Sequence, residues 1–117
     1  MPDNFQGTKD IILQPGDTSI PYTFEVTVCS SATANDGTLP YGTSISSVVV
    51  TGHVSETGTV VTSEIINSSS ETNNVISVLL KYPATSGEGW YHLKFVCTLS
   101  SGAVKELDFA RIYAEDR

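Results

Sequence analysis

Short runs of alternating apolar and polar residues dominate this chain. Tyr22, Phe24, Val26 and Val28 share one parity, and Thr23, Glu25 and Thr27 share the other. Ile76, Val78, Leu80 and Tyr82 alternate with Val75, Ser77, Leu79 and Lys81. Tyr91, Leu93, Phe95, Cys97 and Leu99 alternate in the same way with His92, Lys94, Val96 and Thr98. Successive side chains of a strand point to opposite faces, so these runs predict strands with one face on a core. No segment sustains an amphipathic helical pattern, and β-branched residues abound, so no helix longer than a turn is expected.

Turn residues divide the runs into seven predicted strands. The first covers Thr8 to Leu13 and is closed by Gln14-Pro15-Gly16-Asp17; the second runs from Ser19 to Cys29. Asn35-Asp36-Gly37 and Pro40-Tyr41-Gly42 bracket a polar loop before a third strand, Ile45 to Val54. Thr57-Gly58 turns into a fourth, Val60 to Ile66, and Asn67 to Asn73 reads as a solvated loop. The fifth covers Asn74 to Tyr82. The sixth follows Ser86-Gly87-Glu88-Gly89, and a tight turn at Ser100-Ser101-Gly102 leads into the seventh, Val104 to Tyr113. Seven short strands with frequent turns predict a seven-stranded immunoglobulin-like β-sandwich, all-β, spanning 1–117 as one domain with 1–7 a loose N-terminal arm. Jelly rolls and small barrels have similar strand counts and stay open.

The parity also names a core: Phe24, Val26, Ile76, Val78, Leu80, Leu93, Phe95, Leu107 and Phe109. In the seventh strand Ile112 falls out of phase with Leu107 and Phe109, which a β-bulge near Ala110 would reconcile. The first and last strands are expected at the sheet edges. There Lys9, Asp10, Glu106, Asp108 and Arg111 would discourage edge-to-edge pairing.

Charge narrows the function classes. The net charge is −7, and the six Lys and Arg are scattered from Lys9 to Arg117. Phosphate binding needs a clustered basic surface, so neither nucleic acid nor an anionic membrane is an expected partner. No stretch approaches the ~20 apolar residues of a membrane span. The opening Met1-Pro2-Asp3 carries neither the basic nor the apolar region of a signal peptide, so synthesis in a cytoplasm is expected.

Candidate chemistry is sparse. Cys97 lies on the inward parity of its strand, whereas Cys29 is out of phase with Phe24, Val26 and Val28, so both are expected as free thiols. His53 and His92 sit on different strands and read as ordinary exposed histidines. Asp17, Asp36, Glu56 and Glu64 lack calcium-loop spacing and read as solvated turn acids. No catalytic, cofactor-binding or metal-ligating residue is expected, no cofactor is required and no small-molecule substrate is foreseen. Tyr41 and Trp90 are the candidate interaction surface, since exposed aromatics anchor partners or stack on sugars. One ring of the Trp90-Tyr91 pair should face solvent.

Three segments carry a resemblance. Pro15-Gly16-Asp17 leads into Tyr22-Thr23-Phe24-Glu25, Gly42 to Val48 reads Gly-Thr-Ser-Ile-Ser-Ser-Val, and Gly89 to Gly102 forms an alternating strand with a Ser-Ser-Gly turn. From Pro15 onward the layout resembles bacteriophage and prophage proteins of the fibre-tail adaptor type, which have an immunoglobulin-like fold. The third predicted strand departs from the family's pattern, having Val49 or Val50 where a Trp is usual, and the loop from Ser30 to Tyr41 is longer. The resemblance implies a non-enzymatic structural or assembly protein of a tailed phage or prophage, in the tail, fibre adaptor or head-tail region. Its partners would be other virion proteins or further copies of itself, and it would reside in the virion after synthesis in the host bacterial cytoplasm. The alternative reading is a carbohydrate- or surface-binding β-sandwich module of a larger secreted protein.

Overall fold

The elements run β1 (Ile11–Leu13), β2 (Ile20–Glu25), β3 (Ile45–Val54), α1 (Thr62–Ile65), β4 (Ile66–Thr72), β5 (Val75–Leu80), β6 (Gly89–Leu99) and β7 (Val104–Ala114). They are seen in a computed structural model that describes residues 11–116, without the side chains of 109 and 110. The strands form two sheets, ordered β1-β7-β6-β3 and β2-β5-β4. The expected arm at 1–7, Thr8 to Asp10 of the first strand and the core assignment of Phe109 all lie outside the described residues.

The inward parity of β6 builds the centre of the molecule. Tyr91, Leu93, Phe95, Cys97 and Leu99 are all buried. Facing them from β5, Ile76, Val78 and Leu80 are buried in the same alternating pattern. Phe24 of β2 closes the space between the sheets, its ring edge-on to Phe95 with centroids 5.3 Å apart. Phe24 itself is half-buried against the core rather than enclosed by it. Leu39, from the loop after β2, and Ile65 of α1 are fully buried additions that strand parity does not indicate.

β7 keeps its phase through a bulge. Leu93 pairs with Ala110 and Lys94 with Asp108, which leaves residue 109 extra. The inserted residue flips the parity, so Leu107, Ile112 and Ala114 all bury on the same face.

Four assignments need correction. The fourth predicted strand, Val60 to Ile66, is instead a crossing between sheets whose middle is the single turn α1. Val61 and Ile65, four residues apart, both bury, which is the spacing of a helical turn. The stretch Asn67 to Asn73 is no loop, because most of it forms β4. It pairs antiparallel with β5 through a turn whose Asn73 and Asn74 have φ of 52° and 66°. Two left-handed residues suit the two-residue hairpin, and Asn adopts that conformation at little cost. The strand is polar because it lies at a sheet edge, where Ser and Asn side chains stay solvated.

β2 stops at Glu25 rather than Cys29, since its partner β5 has begun only at Val75, opposite Glu25. Beyond it the chain closes on its own loop, with the Cys29 amide bonded to the Leu39 carbonyl at 2.9 Å. Finally, β7 is not an edge. β1 pairs parallel to Ile112–Ala114 on one side and β6 lies on the other, so the outer strands of that sheet are β1, as expected, and β3.

Gly52 of β3 is where the crossing packs down. Its carbonyl accepts the Val61 amide at 2.8 Å, and its own amide donates to the Thr62 hydroxyl at 3.2 Å. A Cβ there would lie 2.4 Å from the Ile65 side chain, which is fully buried. Gly52→Ala should therefore destabilise by about 1–3 kcal/mol through overpacking. Phe95→Ala should cost about 3–5 kcal/mol, because it leaves a cavity at the sheet centre. Denaturant titrations of both variants read these costs; an unmoved midpoint for Phe95→Ala would contradict the inward phase of β6.

Candidate functional site

The two expected surface aromatics are both exposed but far apart. Tyr41 is 57% exposed and lies four residues before Ile45, the β3 residue opposite Leu99. Trp90, 41% exposed, stands at the other end of β6, about 30 Å away by strand rise. Trp90 faces out while Tyr91 is buried, as alternation requires, with the Tyr91 hydroxyl donating to the Gly87 carbonyl at 2.6 Å. Burial pushes the Tyr91 phenol above its usual range, with Glu64 adding to the effect.

Around Trp90 the outer face of the larger sheet gathers side chains from three strands. Register places Trp90 opposite Tyr113 of β7, which in turn pairs with Ile12 of β1. The Trp90 and Tyr113 rings lie 5.0 Å apart, and the Arg111 guanidinium sits 5.0 Å from the Trp90 ring centre. A cation over the electron-rich face of an indole is an attractive contact. The Tyr113 hydroxyl donates to Glu88 at 2.6 Å, and that bond to a carboxylate raises its pKa. An open depression of about 1000 Å³ adjoins the cluster, lined in part by Val54, Ser55, Trp90, His92, Asp108 and Arg111.

The next row of the sheet holds a pair that the sequence does not disclose. His53 and His92 are direct cross-strand partners, and their rings stack nearly parallel with centroids 5.1 Å apart. They are part-buried rather than the ordinary exposed histidines expected. His53 Nδ1 lies 3.3 Å from the Gly58 carbonyl, an acceptor only, so Nδ1 carries the proton in that bond. Its Nε2 then accepts from the Thr51 hydroxyl at 2.8 Å. His92 Nδ1 is 3.2 Å from the Ser55 hydroxyl. Only the β3–β6 register brings the two together, and no local motif encodes a pairing between strands so distant in the chain.

The acids do not converge. Asp36 closes its loop by accepting from both the amide and the hydroxyl of Ser30, which lowers its pKa. Asp17 accepts the Gln14 amide within its own turn, and Glu64 accepts the Ser86 amide and hydroxyl, tying α1 to the loop before β6. Among the described residues no three His, Cys, Asp or Glu side chains are placed to share a metal ion. Cys29 and Cys97 are free thiols; Cys97 is buried, which pushes its thiol pKa up, and Cys29 sits 3.5 Å from the Gly37 carbonyl.

The chain is thus an all-β protein of two sheets, carrying an aromatic–cation cluster and a histidine pair on the outer face of the larger one. It matches no family model, no curated protein and no solved structure.

The histidine pair has a titration consequence. Desolvation lowers the His92 pKa from 6.5, His53 and Lys94 lower it further, and Asp108 opposes them. Arg111, its cross-strand neighbour on β7, adds a further positive charge. Over that window the unfolded chain binds more protons than the folded one, so stability falls as pH drops below about 6.5. Urea midpoints measured between pH 7.5 and 5 should decline, and His92→Gln should flatten part of that slope. An identical slope in the variant would show that His92 does not report the stack.

Proposed function

We propose that this protein is a non-enzymatic structural or assembly component of a tailed bacteriophage or prophage, working through protein–protein association. Within that reading the fold is a seven-stranded immunoglobulin-like sandwich. The observation that carries it is the strand layout: the order β1-β7-β6-β3 over β2-β5-β4, with β1 parallel to β7. The orders β2-β5-β4 and β7-β6-β3 correspond to the BED and CFG sheets of an immunoglobulin domain and support the reading. β1, however, lies beside β7 and not in the BED sheet, where the constant-type first strand lies. The Tyr91 hydroxyl bonded to Gly87 at the start of β6 parallels the tyrosine corner of such domains. The segment Gly89 to Gly102, one of the three that carry the resemblance to fibre-tail adaptors, forms the central strand β6 and its turn into β7. Further support comes from where the large exposed apolar side chains lie. Ile12 and Trp90 flank Tyr113 at one end of the larger sheet, and such a grouping suits docking of a protein surface.

The exposed Trp90 also favours a second reading, the carbohydrate-binding module. Arg111 already occupies a position over that ring, so a sugar stacking there would have to displace it.

Purified chain should be tested against the virion proteins encoded beside its gene and, in parallel, against a panel of soluble glycans. Saturable binding to a tail, fibre or connector protein is expected, with Trp90 fluorescence unaffected by glycans. Specific glycan binding that quenches Trp90, with no virion protein bound, would overturn the reading in favour of the module.

A further inference from the structure

The larger sheet ends on β1 at one side and on β3 at the other. β1 is only three residues long, Ile11–Leu13, and shortness itself limits pairing, whereas β3 is a long edge. Its sequence, Ile45 to Val54, holds ten residues with no charged side chain and no proline. By contrast β2 contains Pro21 and Glu25, β4 contains Glu71, and the half of β7 not paired with β1 contains Lys105, Glu106 and Asp108. Charge and proline are the usual devices that keep an edge from pairing, and β3 lacks both. In a chain of net charge −7 it is a neutral strip along which a second copy meets no repulsion from the strand itself.

The open part of the edge can be delimited. The Ser55 amide donates to the Trp90 carbonyl of β6, whereas the Val54 amide donates away from β6 to Thr59 and the Gly52 amide to Thr62. In the regular ladder from Ser47 to Val54, Val48 and Val50 share the parity of Gly52 and Val54. Their amides and carbonyls therefore also point outward. The Val60–Thr62 segment covers the Gly52–Val54 end, and a register shift between Ile45 and Ser47 breaks the other. Between these limits Val49, on the outer face, is 61% exposed.

We propose that the β3 edge is a self-association site, where two copies pair antiparallel about a two-fold axis at Val49. Val48 of one copy then lies opposite Val50 of the other, and each such pair exchanges two backbone hydrogen bonds. The two Val49 residues form the non-hydrogen-bonded pair between them, with Cα atoms about 4.5 Å apart and their exposed side chains in contact. The contact is isologous and joins two four-stranded sheets into one. An interface this narrow gives a weak, concentration-dependent dimer. The inference goes beyond the virion reading and does not depend on it.

The Val49 axis is testable by cross-linking. A Cα separation of about 4.5 Å lies within disulfide range, so Val49→Cys should link two copies under oxidised glutathione. The control is Val104→Cys, since Val104 is equally exposed at 61%, with the unmutated protein as the blank for its own thiols. Val49→Cys should link at least about tenfold faster than the control, because pairing raises the effective concentration of the two thiols. In sedimentation velocity across a concentration series, the unmutated chain should shift toward dimer and Val49→Lys should stay monomeric with its melting temperature preserved. Equal linking rates for the two cysteine variants, or a chain monomeric at every concentration, would overturn the proposal. So would a dimer that Val49→Lys leaves intact.

Discussion

The structure depends on the phase of one strand. β6 is the long central strand whose five inward side chains fill the space between the sheets, all of them buried. Its two neighbours have no freedom once that phase is set. β3 must place Val48, Val50 and Gly52 inward opposite Cys97, Phe95 and Leu93, and β7 must insert a residue to bring Ile112 inward after Leu107. A one-residue slip of either neighbour would turn its apolar side chains to solvent, so the register is energetically enforced. The outer face is the complement of the same choice. Because Tyr91 and Leu93 point in, Trp90 and His92 point out, and the cluster with Arg111 and Tyr113 follows from the register of β7.

Parity is the legible part of the fold. The inward sets of β5 and β6 are explicit in the sequence, and the phase mismatch between Leu107 and Ile112 is enough by itself to require the bulge. What parity does not carry is the pairing partner. Nothing local says that His53 meets His92, or that β1 lies beside β7 and leaves β3 at the margin. These are consequences of how the sandwich closes, set by tertiary packing rather than by any motif. The departures at Val60–Ile66 and Asn67–Asn73 share a cause. The β-branched residues of the first mask the four-residue spacing of Val61 and Ile65, and the Ser and Asn of the second imitate a loop although an edge strand tolerates them.

Of the candidate surface, exposure is legible and arrangement is not. Tyr41 and Trp90 are both on the surface, yet they occupy opposite ends of the larger sheet and do not form one patch. The expectation that the charged first and last strands guard the edges holds only in part. Lys105, Glu106 and Asp108 do lie on the half of β7 without a β1 partner, while β3 carries no such guard. The strand order therefore moves the unguarded edge to a neutral, β-branched strand that the charge pattern does not single out.

Residue-resolved amide exchange in dilute protein tests this account most directly, since it reads the hydrogen-bonding direction of each β3 amide. If β6 sets the register and β3 closes the sheet, Val49 and Thr51 exchange slowly as donors to β6 while Val48 and Val50 exchange quickly into solvent. Slow exchange at all four positions would place another strand beside β3, and fast exchange at Val49 and Thr51 would mean that β3 does not pair with β6 in this register; either result would contradict the account.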